Sequence, residues 1–573
     1  MKLLQRYFDT ALETPDGIKK LRELILTLAM KGKLVPQNPN DQPASELLKK
    51  ISEEKKRLIK EGKIKKQEPL PSITKNEIPY DLPKGWEWVR LGDASSLITK
   101  GSSPNWQGVN YTDSMNGILF ITSENVDNYK LKFKNKKYVE NKFNDIEPRS
   151  ILQKFDVLMN IVGASIGRVA YYDLDEIANI NQAVCLIRLL KHDKFIDLKF
   201  LLFFLNSAIC ISYMYDKQVD NARANLSMTN INKFLIPLPP FSEQKRIVKK
   251  IDQLMALCDT LEKHRNERIQ KRREINASAL NRLINSQEKK DLNTSWKFIT
   301  RNFNELYSVS ENIDELKKII LQLAMQGKIV PQNPNDQPAS ELLNEIEKEK
   351  KKLIKDGKLK EQKTLPPIKS EEIPYELPNG WEFVRLINLG NWAIGSGFPL
   401  NIQGTKDSEI FLCKVSDMNL PGNEKYINIV NNTISKELAN EYKINIHNAG
   451  TIIFPKIGGA IATNKRRILS RQTAIDNNCL GIKPYKNIDL NWAYHILSSF
   501  DFSKYQSGTS VPAISQSIIG SIIIGLPPLP EQRRIVKKID NLMTLCDTLS
   551  QQIISSTSKQ TELFNSVLAQ AAV

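Results

Sequence analysis

The fourteen residues VPQNPNDQPASELL stand at positions 35–48 and return unchanged at 330–343, 295 residues downstream. Self-similarity over so long a period decides the architecture before any local propensity does. The match widens in both directions. Upstream, LRELILTLAMKGKL (21–34) faces LKKIILQLAMQGKI (316–329), and downstream EIPYDLPKGWEWVRL (77–91) faces EIPYELPNGWEFVRL (372–386). A second block, PLPPFSEQKRIVKKIDQLMALCDTL (237–261), faces GLPPLPEQRRIVKKIDNLMTLCDTL (525–549) at an offset of 288. The chain is therefore written twice, from about residue 10 to 285 and from about 304 to 573.

Between these blocks the likeness nearly vanishes. Residues 92–236 and 387–524 share only a faint skeleton: VLMNIVGASIG (157–167) with IIFPKIGGAIA (452–462), AVCLI (183–187) with NNCLG (477–481), and NLSMTNI (225–231) with AISQSII (513–519). Neutral drift in a duplicated domain would spread its differences more evenly. A fixed frame carrying two unlike inserts is instead a device for presenting two different reading surfaces.

Composition agrees without deciding the matter. The chain has 573 residues, with 82 Lys+Arg against 64 Asp+Glu for a net charge of +18. Length alone suggests about three to four domains at roughly 150 residues each. With 41% hydrophobic and 8% aromatic residues it can build cores, so wholesale disorder is excluded. No window approaches the roughly 18–20 consecutive apolar residues of a membrane span. The N-terminus acquires acids before any apolar signal core forms, so the expected location is cytoplasmic. Six cysteines without a CxxC argue against a disulfide scaffold and against a zinc site. The positive excess suggests a polyanionic partner. Many of the charged residues, however, lie in ASELLKKISEEKKRLIKEG and ASELLNEIEKEKKKLIKDG, which read as solvent-laced helices closed by Gly62 and Gly357.

The frame is helical. Ile247, Ile251, Leu254, Cys258 and Leu261 step at a/d spacing, as do Ile535, Ile539, Leu542, Cys546 and Leu549. The first stripe continues through Arg265, Arg268 and Arg272 to Ile275 and Ala279; the second runs through Ile553, Ser556 and Gln560 to Leu563 and Val567. A helix over 242–284 would be about 65 Å long. The two stripes are expected to pack together, each cysteine a small apolar group in the seam. Each long helix follows a Pro-Pro and has an acid in its first turn, Glu243 or Glu531. Shorter amphipathic helices end at Gly32 and Gly327.

Each insert opens with a Trp-containing strand (86–91 and 381–386), followed by a polar loop, ITKGSSPNWQG (98–108) or AIGSGFPLNIQG (393–404). Short apolar runs then alternate with turns, as in a mixed α/β domain with a curved sheet; LKFLLFFLNSA (198–208) is the clear helix. Loops on such scaffolds carry recognition groups. The candidates for gripping or reading DNA in the first insert are Lys100, Ser102, Asn105, Gln107, Arg168, Arg223 and Asn225. In the second they are Ser396, Gln403, Lys456, Lys465, Arg466, Arg467 and Arg471, with NKRR (464–467) the densest basic cluster in either insert. Arg and Lys suit guanine edges and phosphates, Asn and Gln suit adenine edges.

Catalytic signals fail one by one. LPPF (238–241) approaches the (N/D)PPY/F of amino-methyltransferases, but a Leu stands where an Asn or Asp must accept from the target amine. No GxGxxG follows a strand and no GxxxxGK[ST] occurs. GASIG (163–167) reads as a turn, and acid–Lys triplets such as Glu53-Glu54-Lys55 lie in charged helices. The four histidines, 192, 264, 447 and 495, are scattered singly, so metal or triad chemistry has no support.

The duplicated frame, the LPxGWE(W/F)VRL opening, the LPPxxEQ(K/R)RIVKKID exit and the two dissimilar inserts resemble the specificity subunits of Type I restriction–modification enzymes, over essentially the whole chain. The resemblance implies an α/β (α+β) fold: two globular target recognition domains separated by long antiparallel coiled-coil helices, in a pseudo-twofold tandem repeat. The expected layout is a repeated helical region (1–80), recognition domain one (81–240), a central region with a long spacer helix (241–330), a repeated helical linker (331–375), recognition domain two (376–529) and a terminal spacer helix (530–573). It implies double-stranded DNA, two modification subunits and the restriction subunits as partners, and a non-catalytic role. No cofactor is expected in this chain; S-adenosylmethionine, ATP and Mg would belong to the partner subunits. A solitary DNA-binding regulator and a non-DNA scaffold are the alternatives. The segment before the first insert is longer than in some family members, which leaves the sub-class open.

Overall fold

After Pro239-Pro240 the chain enters one unbroken helix, Phe241–Asn285, and after Pro527-Pro528 a second, Leu529–Ala572. Neither proline pair can continue a strand ladder, so strand ends and helix begins at the same point. The computed structural model describes residues 14–216, 226–286, 288–357, 365–508 and 511–572. These form two compact units, one built from residues up to Glu267 and from Ser556 onward, the other from Arg268 to Ser555. Each long helix is thus divided near its middle, which moves the boundaries away from those of the written repeat. The physical reason lies in packing: Ala279, Leu280 and Leu283 of the first long helix share the second unit's core with Ile313, Leu316 and Ile320.

Each unit has the same short frame helix, Gly17–Met30 or Ser310–Met325. Both end in the same glycine-closed turn. Lys33 N donates to Leu28 O at 2.8 Å and Gly32 N to Ala29 O at 3.1 Å; Lys328 and Gly327 do likewise to Leu323 and Ala324 at 2.9 and 3.2 Å. Gly32 and Gly327 have φ of +67° and +68°, and a Cβ on either would lie 2.3 or 2.4 Å from the Cγ of Pro83 or Pro378. Conformation and space both demand glycine.

The long-helix stripe is shared with these frame helices. Ile247, Ile251 and Cys258 are buried with Ile18, Leu21 and Ile25, while Leu254 and Leu261 pack partly against them. In the second unit Ile535, Ile539 and Cys546 are buried with Ile313, Leu316 and Ile320, with Leu542 and Leu549 partly covered. Ion pairs repeat the arrangement: Arg22–Asp259 at 2.6 Å and Lys317–Asp547 at 2.7 Å. Further along, one position of the predicted stripe slips by one residue in each helix, while Ala279 and Val567 are buried as expected. Ile275 and Leu563 face solvent, and Asn276 and Phe564 are buried in their stead. An α-helix drifts about 20° per heptad against a strict seven-residue repeat, so at these two positions the next residue occupies the seam.

The two inserts share a topology that their sequences conceal. In the first, Ser95–Lys100, Val184–Leu189, Val157–Asn160 and Val169–Tyr171 form one antiparallel sheet in that order. The second insert repeats it with Gly390–Ile394, Cys479–Pro484, Ile452–Pro455 and Arg467–Leu469, adding Tyr426–Ile427 at the edge. Each also has a four-stranded mixed sheet, around Gly117–Ile121 or Ile410–Cys413. Pairing of Val157 with Ile187 and of Ile452 with Ile482 places Val184, not Cys185, opposite the position of Cys479. The AVCLI/NNCLG match is therefore one residue out of register. The slip puts the two cysteines on opposite sheet faces, Cys185 among Met159 and Ile187, Cys479 among Ala393 and Ile453.

A two-stranded ribbon closes each insert, Glu87–Arg90 with Leu235–Leu238 and Glu382–Arg385 with Ile523–Leu526. The repeated residues tie this ribbon to the frame. Trp86 Nε1 donates to Glu243 Oε2 at 3.1 Å and Gln37 Nε2 to Glu243 Oε1 at 3.3 Å; Trp381 and Gln332 do the same to Glu531 at 3.1 and 3.2 Å. Gln244 Oε1 accepts from Asp197 N at 2.7 Å, and Gln532 Oε1 from Asp489 N at 2.9 Å, each at the start of an insert helix. Arg246–Asp41 and Arg534–Asp336, both at 2.6 Å, hold the PQNPND loop. Buried Arg90 donates to Pro71 O, Lys233 O and Glu77, as Arg385 does to Pro366 O, Ser521 O and Glu372.

Both oxygens of Glu243 accept from donors, whereas a carboxamide has one acceptor and would turn an N–H toward a donor. Glu243→Gln is therefore expected to lower stability by roughly 1–3 kcal/mol, although it removes a buried charge. Urea unfolding at neutral pH measures this, and a neutral or stabilising result would rule out the carboxylate as the clamp. Glu77, held by the Thr74 backbone N–H and by Arg90, has its pKa lowered from 4.5 to about 2. A folded pKa below the unfolded one favours the fold above about pH 4.5, and that contribution fades as pH falls toward 2. The stability gap between wild type and Glu77→Gln should close over that window in pH-dependent melts.

Candidate nucleic-acid interface

Lys100 ends the strand Ser95–Lys100 and is exposed where the polar loop begins. The loop is fixed by its own side chains: Gln107 Nε2 donates to Ser102 Oγ at 3.0 Å and to Glu147 Oε1 at 3.2 Å. Gln107 and half-buried Ser102 thus shape the loop, and Asn105 is left exposed on its short 3-10 turn. Arg168 is exposed between the Gly163–Ser165 turn and the strand Val169–Tyr171, its charge helping to hold Asp127 below the usual carboxylate range after Lys132. Arg223 and Asn225 lie outside the described residues.

The corresponding loop of the second insert is fixed in a different way. Ser396 Oγ accepts from Asn445 N at 2.9 Å. Gln403 Nε2 donates to Phe398 O at 2.7 Å, while Lys414 donates to its Oε1. Lys456 is half-buried just after the strand Ile452–Pro455, its backbone bonded to Asn478 and Ile514. Arg471 is exposed, donating to Glu409 O at 2.9 Å with its guanidinium over the Phe411 ring.

The NKRR cluster does not form one basic surface. Arg466 is 3% exposed: it donates to the carbonyls of Leu497 and Phe500 and to Asn464 Oδ1, and it stacks 3.8 Å from the Phe502 ring centroid. Burial lowers its pKa, and the carbonyls it meets are the ends of a neighbouring helix. It is a core residue and is unavailable to a ligand. Arg467, half-buried, donates to Met418 O at 3.0 Å, and Lys465 bonds Asn419. Alternation along the strand Arg467–Leu469 and the turn before it separates these neighbours.

The sequence also holds a longer basic run that the loop candidates omit, Lys130, Lys132, Lys134, Lys136 and Lys137. All five are exposed, and three pair with acids: Lys132 with Asp127, Lys136 with Glu176 and Lys137 with Glu124. Its count of lysines was the available signal. The histidines are structural where bonds define them: His495 meets Asp540 at 3.0 Å, in the place where Lys199 meets Asp252 in the first unit. Among the described residues no group of His, Cys, Asp and Glu is arranged to hold a metal ion, and no single helix is long and apolar enough to cross a membrane.

Two segments, 83–271 and 378–556, match the family model for the Type I restriction modification DNA specificity domain. The EcoAI specificity subunit of Escherichia coli is 34% identical over 575 residues, covering 96% of this chain and 92% of the relative. The EcoEI specificity subunit, also from Escherichia coli, is 30% identical with the same coverage. Among solved structures, a chain from a type I R-M system whose assembly and conformational transition were studied aligns at 17% identity and a TM-score of 0.48, covering 86% of this chain and 99% of its own. The HsdS subunit from Thermoanaerobacter tengcongensis aligns at 16% identity and a TM-score of 0.39, covering 86% and 98%. With two matched domains on a repeated helical frame and full-length likeness to these relatives, the chain belongs to the family of Type I restriction–modification specificity subunits.

Proposed function

We propose that each insert reads one half of a bipartite, asymmetric DNA site, and that the long helices set the spacing and dock two modification subunits. The observation that carries this reading is the pairing of one sheet topology with two unlike loop sets on one frame. A conserved grip with interchangeable loops is what a two-part reader of unlike half-sites requires. Lys100, Asn105 and Arg168 in the first insert, and Lys456, Lys465 and Arg471 in the second, are the side chains assigned to DNA. Cations serve phosphates and guanine edges, and Asn105 an adenine edge. Ser102, Gln107, Ser396 and Gln403 act by shaping the loops that present them.

The chain positions and does no chemistry in this reading. Adenine N6 methylation would be carried out by the modification subunits with S-adenosylmethionine, and ATP and Mg would serve the restriction subunits. This complex would work in the cytoplasm, where the DNA is. The repeated blocks favour it over a solitary regulator, since a frame held identical in both halves suits two identical partners.

Methylome sequencing of cells co-expressing the chain with its modification subunit tests the proposal. A split adenine-methylated motif is expected. Replacing residues 387–524 with another family insert should change one half-motif only. Deleting about four residues, ~6 Å of helix, from the first long helix should alter the gap by about two base pairs. An unchanged motif in both variants would sink the reading. At the level of single residues, Arg471→Ala should weaken DNA binding and reduce the salt slope by about one charge, with little effect on folding. Arg466→Ala should lower the melting temperature, because several buried carbonyls lose their donor, and should leave the salt slope of the folded fraction unchanged.

A further inference from the structure

Among the described residues, the large apolar side chains with the greatest exposure are Met115 at 93%, Leu400 at 88% and Trp106 at 75%. A single exposed hydrophobic is ordinary on any surface. Two of these three, however, lie in the same loop of the two inserts, Trp106 one residue before Gln107-Gly108 and Leu400 three residues before Gln403-Gly404. Both loops follow the first strand of the main sheet. Both leave it at a glycine pressed against the end of a neighbouring strand, since a Cβ on Gly101 would lie 1.8 Å from Ile180 O and one on Gly395 1.9 Å from Asp476 O. Trp106 then stands on the 3-10 turn Asn105–Gln107, and Leu400 on the 3-10 turn Leu400–Ile402.

Each tip is held rigidly by different means. In the first insert the Gln107 amide is bonded to Ser102 and Glu147; in the second the Gln403 amide is bonded to Phe398 O, with Lys414 on its oxygen. A large apolar group kept out of the core on an ordered loop, beside exposed Lys100 and Asn105, matches the wedges that enter base stacks from protein loops.

Resting on the DNA reading above, we propose that Trp106 and Leu400 are stacking wedges, one for each half-site. Methylation at adenine N6 requires the base to leave the duplex. The wedge takes the space that opens in the stack and so lowers the cost of extrusion for the partner subunit. In the first insert Lys100, at the start of the loop, holds a phosphate while the apolar tip enters the stack.

The test uses the full chain in complex with its modification subunits, on a short duplex carrying the methylated motif. 2-Aminopurine replaces the base beside the target adenine in one half-site at a time. Wild type should raise 2-aminopurine fluorescence in either half. Trp106→Ala should abolish the rise in one half-site and weaken binding about ten- to a hundredfold, the range for a base stacked on an aromatic ring. Leu400→Ala should abolish the rise in the other half-site alone, and Trp106→Phe should restore it in the first. Wild-type fluorescence and affinity in both alanine variants would overturn the proposal. So would loss of modification-subunit binding with fluorescence intact, which would make the tips protein contacts. If the wild-type complex does not distinguish the motif from random duplex, the DNA reading itself fails.

Discussion

Glu243 and Glu531 each lie buried in the first turn of a long helix, where a tryptophan indole and a glutamine amide donate to the carboxylate. Burial raises the pKa of both, so the charge is held at a cost. The helix N-terminus and the two side-chain donors each offset part of it. Through this one group the opening strand of the insert, the PQNPND loop of the frame and the long helix are fixed to one another. The adjacent Gln244 or Gln532 extends the junction by receiving the N–H at the head of the insert helix.

That junction accounts for the uneven distribution of sequence identity between the copies. Gln37, Asp41, Glu77, Tyr80, Trp86, Arg90, Glu243, Gln244 and Arg246 all have counterparts making the same bonds in the second unit. Changing one member deprives buried Trp86, Arg90, Glu243 or Gln244, or its counterpart, of a partner, so each copy constrains itself. Residues beyond the ribbon are under no such constraint. Their sheet needs only apolar alternation, which many sequences satisfy, and their loops are released to differ.

Much of the frame was legible for this reason. Helix ends at Gly32 and Gly327, the Pro-Pro boundaries and the near half of each apolar stripe are local features, set by backbone conformation and short-range period. The far halves were legible in part: Ala279 and Val567 are buried as expected, whereas Asn276 and Phe564 take the seam in place of Ile275 and Leu563 as helical drift accumulates. The two polar loops form where the sequence placed them, yet side-chain type could not separate an exposed cation from a buried one. Arg466 and Arg471 differ by five positions in one basic segment; one neutralises the end of a helix inside the core and the other faces solvent. Gln107 and Gln403 bond within their own inserts, since an amide serves a loop carbonyl or hydroxyl as readily as a base edge.

Sequence by itself determined that the chain is duplicated, where its helices begin, and that its two inserts differ while its frame does not. These follow from repeats and from short-range chemistry, which need no third dimension. Tertiary structure decided that the inserts share one sheet topology, that Cys185 and Cys479 lie on opposite faces, and which cations reach the surface. Such properties depend on strand register and on contacts between residues far apart in the chain. A one-residue shift there reverses a face without leaving any trace in composition or period.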